Sequence, residues 1–195
     1  MIRALMDTYF AMYYVAVERI SDEERDCRET SWRFHGEADR LFMLKLIRSG
    51  SPELPSLEVA VDALREQVVN LPSYRRLDAE IQKKIRKGER PLHLSNSELA
   101  TRAGISTDYY RAVYRYLSSY THTYPYSVTQ LAHLRGGDPE SLHLFSTALQ
   151  YCLAFLAVAV RDFWSLFPDL EVSCDAPAQM VLDTWISHGA NFNRQ

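Results

Sequence analysis

"STDYYRAVYRYLSSYTH", residues 106–122, decides the fold class, because its apolar and polar residues separate at helical spacing and not at strand spacing. On a wheel turned 100° per residue with Arg115 at zero, Asp108, Arg111, Ser118, Ser119 and His122 all fall within about 60° of it. The opposite arc collects Tyr109, Tyr110, Val113, Tyr114, Leu117 and Tyr120. This is an amphipathic helix with a core-facing stripe. Ser106 is placed to cap its start, and Pro125 in "TYPYS" ends it.

The same reading extends in both directions. Ile2, Leu5, Met6, Tyr9, Tyr13, Ala16, Val17 and Ile20 predict a first helix, and "SDEE" from Ser21 has the capping-box pattern that starts a second, to about Ile47. Ser56 and Ser73 are the expected caps of a third and a fourth, the fourth stopped by Gly88 and Pro91. "SNSELATRAG" predicts a short fifth helix before the opening stretch. After "RGGDPES", Asp138 and Pro139 start a long apolar helix to about Phe167, and Asp175 opens the last one. No alternating strand pattern of useful length occurs. The expected fold is all-α, a single-domain bundle of seven to eight helices over residues 1–195, with the run "YCLAFLAVAV" at 151–160 central because it is apolar all round.

Composition agrees with a folded globular chain. Of 195 residues, 47% are hydrophobic and 24% charged, which suffices for a core without disulfide or metal support. The formal net charge of −3 provides no global field for nucleic acid, so any such binding must come from local patches. Cys27, Cys152 and Cys174 form no C-x-x-C pair, which suits a reducing compartment and reads as core packing. The apolar N-terminus carries Arg3 and Asp7 and no small-residue cleavage site, and the longest uninterrupted apolar run is ten residues, too short to span a bilayer. The expectation is a cytoplasmic protein without membrane contact.

Arg115 and His122 stand two turns apart on one side, about 10.5 Å along the axis, within joint reach of one phosphate. An imidazole can take a proton from a ribose 2′-hydroxyl, and a guanidinium can steady charge on phosphoryl oxygens. Neither metal nor cofactor enters that scheme. Ser118 and Ser119 would orient His122 or touch the phosphate, with Arg111 in support. An amphipathic helix also needs some polar face, and Arg, Ser and His are ordinary occupants of one.

Arg, six residues and then His resembles the R-x(4–6)-H motif of the HEPN superfamily of all-helical proteins. More narrowly, "YRYLSSYTH" resembles an uncharacterised bacterial family with a Tyr-Arg-x-Leu-Ser-x-x-x-His signature, whose first helix carries Arg-x-x-x-acidic, as in "RALMD". The HEPN resemblance implies a metal-independent ribonuclease or RNA-binding protein, with Arg115 and His122 at a composite site of a homodimer. Here Tyr116 follows the Arg, where active HEPN nucleases commonly carry a polar residue.

Other features offer alternatives. Residues 97–115 fit a helix-turn-helix, with Ala100 and Gly104 in frame and Arg111 and Arg115 toward DNA. A non-catalytic protein-interaction module is a further alternative, with a protein partner in place of RNA. From Tyr74 to Arg90, seven Lys or Arg face three acids, so Arg75, Arg76, Lys83, Lys84, Arg86 and Lys87 are candidates for tracking a phosphate backbone, or form one solvated helix face. Arg3 and Asp7 read as an exposed i,i+4 pair, or as a buried pair bracing the His122 region. His35 and Asp39 have the spacing of two metal ligands, but nothing completes a set, and no metal site is expected.

Overall fold

Proline placement sets several helix boundaries in the computed structural model, which describes residues 2–132, 134, 135, 137–170 and 175–192. Among the described residues there are ten α-helices and no strand. They are α1 (Ile2–Met12), α2 (Asp22–Leu46), α3 (Leu54–Asn70), α4 (Pro72–Arg75), α5 (Ala79–Arg86), α6 (Asn96–Arg102), α7 (Thr107–Thr121), α8 (Pro125–Ala132), α9 (Pro139–Leu166) and α10 (Ala176–Ala190). A π-helical turn, Tyr13–Val17, prolongs α1.

The count exceeds the expected seven to eight for two reasons. Pro72 opens the short α4, and Asp78 then caps a separate α5 by accepting from Glu80 N–H at 2.8 Å, which divides the expected fourth helix. Pro125 starts α8 as well as ending the segment before it, since proline is well tolerated at a first helical position. Ser56 is not a cap. It lies inside α3, and its hydroxyl donates to the Glu53 carbonyl at 2.9 Å. Ser21, Ser106 and Asp175 do cap α2, α7 and α10, each accepting a backbone N–H.

The chain forms two compact units, one of residues 1–18 with 96–195, the other of residues 19–95. In the first, α1 and its π-helical turn insert Met6, Tyr9, Phe10, Tyr13 and Tyr14 among Leu99, Tyr109, Tyr110, Val113, Ala154, Phe155 and Val158, all buried. The Phe10 ring meets Tyr110 and Phe155 edge-on at 5.3 and 6.0 Å between centroids. Tyr9 donates to the buried Asp162 carboxylate at 2.8 Å. Arg161 Nε also donates to Asp162, at 2.8 Å. At the crossing of α9 and α10, a Cβ added to Gly189 would lie 3.2 Å from the Ala154 Cβ, so glycine permits the close approach.

In the second unit Cys27, Phe34, Leu57, Val61, Val68, Tyr74 and Ile85 form the core. Arg28, only 1% exposed, donates to Glu24 Oε1 at 2.9 Å, and His93 Nε2 lies 3.3 Å from the same oxygen. Cys27 is buried and Cys152 half-buried, whereas Cys174 lies outside the described residues.

The run at 151–160 is not central throughout. Ala154, Phe155, Ala157 and Val158 are buried, while Leu156 is 46% exposed because α1 and α10 cover one side of α9. By length and composition α9 could cross a membrane, and only 22% of its most apolar stretch is buried within the protein.

Candidate functional site

Arg115 and His122 both line one open cleft of about 660 Å³ in the first unit, together with Arg3, Ser97, Tyr110, Arg111, Tyr114, Ser118 and Tyr124. α7 supplies most of these, α1 supplies Arg3, and α6 supplies Ser97. His122 is the C-cap of α7, its N–H bonded to the Ser118 carbonyl at 3.0 Å, and the following Thr123 takes a left-handed turn at φ 53°. The imidazole is thereby presented at a helix end, 5.7 Å from the Tyr124 ring between centroids.

Arg3 organises the cleft. Its Nη1 lies 2.8 Å from His122 Nε2, its Nη2 donates to the Tyr114 hydroxyl at 2.7 Å, and its Nε lies 3.7 Å from Asp7 Oδ2. A guanidinium only donates, so Nε2 accepts and a neutral ring carries its proton on Nδ1. Desolvation raises the Asp7 carboxyl above its ordinary range, with the Arg3 charge pulling the other way. Both sequence readings of this pair are partly met: Arg3 and Asp7 are a half-exposed i,i+4 pair, and Arg3 also braces His122.

The guanidinium groups of Arg111 and Arg115 are exposed and have no partner among the described residues. Ser118 and Ser119 differ from the wheel reading, since both are buried, at 9% and 8% exposure. α8 folds against α7 here, and the Ser127 hydroxyl donates to the Ser119 carbonyl at 2.7 Å. Ser119 itself donates to the Arg115 carbonyl at 2.9 Å and is satisfied. The Ser118 hydroxyl is different, buried on the cleft wall without a hydrogen-bond partner among the described residues. Arg3 also lines a neighbouring apolar cavity of about 570 Å³ with Tyr116, Leu131, Leu142 and Phe145.

α6 and α7 are joined by a turn with Gly104 at φ 78° and Ile105 buried. Arg111 and Arg115 of α7 line the cleft. In the second unit Arg76 pairs with Glu23, Lys83 with Glu80 and Lys87 with Glu89, and Arg75 bonds Asn70 and the Val69 carbonyl. Lys84 and Arg86 have no such partner among the described residues. His35 Nδ1 donates to the Gly88 carbonyl at 2.6 Å, which engages it structurally. Among the described residues no group of three or more His, Cys, Asp or Glu is placed to hold a metal.

The cleft residues that sequence reasoning missed as such are Ser97, Tyr110, Tyr114 and Tyr124. Tyr114 read as core because it lies on the apolar arc, yet the Arg3 guanidinium lies over its ring, 4.8 Å from the centroid, as well as bonding its hydroxyl.

Residues 1–139 match the model of a family described as "Family of unknown function (DUF5677)". The chain belongs to this family. No curated protein and no solved structure matches the chain. The DUF5677 match spans α1 to α8 and every residue of the cleft, and it ends at Pro139, where α9 begins. None of the comparisons supports membership of the HEPN superfamily.

Proposed function

We propose that the cleft binds the phosphodiester backbone of single-stranded RNA and cleaves it without metal. One observation carries the reading: Arg3, Arg111 and Arg115 line one cleft with His122, and the guanidinium groups of Arg111 and Arg115 are exposed there. Phosphoryl oxygens are the ligand that such donors fit, because each guanidinium offers a planar fork of N–H donors. The spacing of Arg115 and His122, and its resemblance to R-x(4–6)-H, add to this.

In the reaction, Arg111 and Arg115 hold the non-bridging oxygens. A phosphate oxygen draws Arg3 away from His122, and Nε2 then accepts the proton of the 2′-hydroxyl. The 2′-oxygen bonds phosphorus, the P–O5′ bond breaks, and the departing 5′-oxygen takes a proton from water. The products are a 2′,3′-cyclic phosphate and a 5′-hydroxyl.

The test is cleavage of a mixed RNA pool in EDTA by wild type, Arg115→Ala and His122→Ala, with circular dichroism on each. Wild type should cut and leave cyclic phosphate ends, and His122→Ala should lose roughly 100- to 10,000-fold, the usual worth of a positioned base. RNA that binds in an Arg115-dependent way but stays intact refutes the chemistry. RNA that does not bind refutes the ligand class.

A further inference from the structure

α9 is apolar on two opposite faces, and only one of them is covered. Ala154, Phe155, Ala157, Val158 and Asp162 face α1 and α10 and are buried. On the other side Leu142, Phe145, Leu149, Leu156 and Phe163 stand 64, 68, 62, 46 and 41% exposed. With Cys152, Ala159 and Leu166, which are half-buried, they occupy positions spaced alternately by three and four residues from 142 to 166. Every one of those eight positions is apolar. This is the a/d seam of a coiled coil, sustained over more than three heptads.

We infer that this seam pairs with the seam of a second copy of the chain, making the protein a homodimer through α9. Size supports that occupant. Five large side chains left about half exposed amount to roughly three whole ones, or about 500 Å² per copy at ~150–250 Å² each. Pairing two seams removes roughly 1,000 Å², the size at which specific interfaces begin. An exposed stripe of this extent is also unusual on a monomer.

A lipid surface fits less well. Helices that lie on membranes carry several Lys or Arg on the polar face, whereas the one Lys or Arg in α9 is Arg161, which pairs with Asp162. A bilayer span takes about 20 residues, and α1 and α10, which pack on α9, have 11 and 15. The dimer stands independently of the RNA reading, although Leu142 and Phe145 also line the apolar cavity beside Arg3.

Sedimentation velocity of the full chain tests it. Wild type should sediment at twice the 22.5 kDa chain mass, and Phe145→Glu and Leu149→Glu, with unchanged circular dichroism, should each weaken the dimer at least tenfold. In a parallel, in-register pair Cys152 meets its own counterpart, whereas in an antiparallel pair centred on the seam it meets Leu156. In a Cys27→Ala, Cys174→Ala background, mild oxidation should therefore give a covalent dimer through Cys152 in the parallel case, or after Leu156→Cys in the antiparallel case, and Cys152→Ser abolishes either. That cross-link decides the matter if the Glu variants fail to fold. A wild type that stays monomeric at 100 µM overturns the proposal, as does a missing cross-link, or flotation of monomers with phosphatidylcholine–phosphatidylglycerol vesicles.

Discussion

Arg3 Nη1 lies 2.8 Å from His122 Nε2, so a side chain in the first turn of the chain holds the imidazole at the end of α7. The bond needs the Nε2 lone pair, and it specifies the tautomer with hydrogen on Nδ1. Nitrogen-15 NMR of labelled histidine should show that tautomer for His122 in the wild type. Arg3→Met should shift the signals toward a free imidazole, whereas Arg3→Lys, which keeps a donor, should shift them less. Identical spectra in wild type and Arg3→Met would sink the idea that the bond holds in solution.

Tyr9 and Asp162 make the corresponding buried pair in the core of that unit, at 2.8 Å. Tyr9→Phe leaves a buried carboxylate short of a donor, and a hydrogen bond to a charged group contributes about 1.5–3 kcal/mol. Tyr13→Phe removes a bond to the Arg102 carbonyl, a neutral acceptor, and should cost about 1 kcal/mol. Urea denaturation of both variants checks the order. Equal losses would mean that Arg161 alone satisfies Asp162.

Most helices were legible in the sequence because 3.6-residue periodicity and the side-chain caps at Ser21, Ser106 and Asp175 agree with each other. α8 escaped because a proline after a helix is read as a stop, while the same residue at a first helical position is a start. The bare face of α9 was illegible for another reason. A segment apolar all round says that partners are needed, not which side has them.

The site was half legible. The Arg115 to His122 spacing shows in one helix, whereas Arg3 is 119 residues away from His122 and reaches it only through tertiary packing. Ser118 and Ser119 follow the polar arc of a lone α7, and the return of α8 is what buries them.

Two glycines of the second unit should respond oppositely to alanine. Gly88 has φ 74°, and an added Cβ would sit 2.8 Å from that of Ala38, so Gly88→Ala should destabilise by more than ~1–2 kcal/mol. Gly36 lies within α2 with nothing within 4 Å of an added Cβ, so Gly36→Ala should stabilise by about 0.5–1 kcal/mol. Thermal melts of the pair decide it, and a shift of the same sign in both would contradict the backbone geometry.

Alkali should loosen the fold. Burial pushes the Cys27 thiol from 9.0 up to about 11 and raises the Tyr9 and Tyr109 phenols above their ordinary range, with the Asp162 carboxylate adding to the effect at Tyr9. Groups raised in the folded state contribute stability below their unfolded pKa and lose it as pH climbs through the folded one. Cys27 therefore withdraws on the order of 2 kcal/mol between pH about 9 and about 11, and the phenols follow from about 10 upward. Melting temperature against pH should be flat from about 7 to 9 and fall above it, with the first part of the fall reduced in Cys27→Ala.

Because α1 belongs with residues 96–195 and the second unit lies between them in sequence, order of synthesis matters. A ribosome adding about 5–20 residues per second needs several seconds to pass residues 19–95, and longer to deliver α9. Throughout that time Met6, Tyr9, Phe10, Tyr13 and Tyr14 have emerged without the α7 and α9 side chains that bury them. The intervening segment, contiguous in sequence, is free to fold first. The nascent α1 is then a natural client for a holding chaperone, and the residues from 96 onward are what release it.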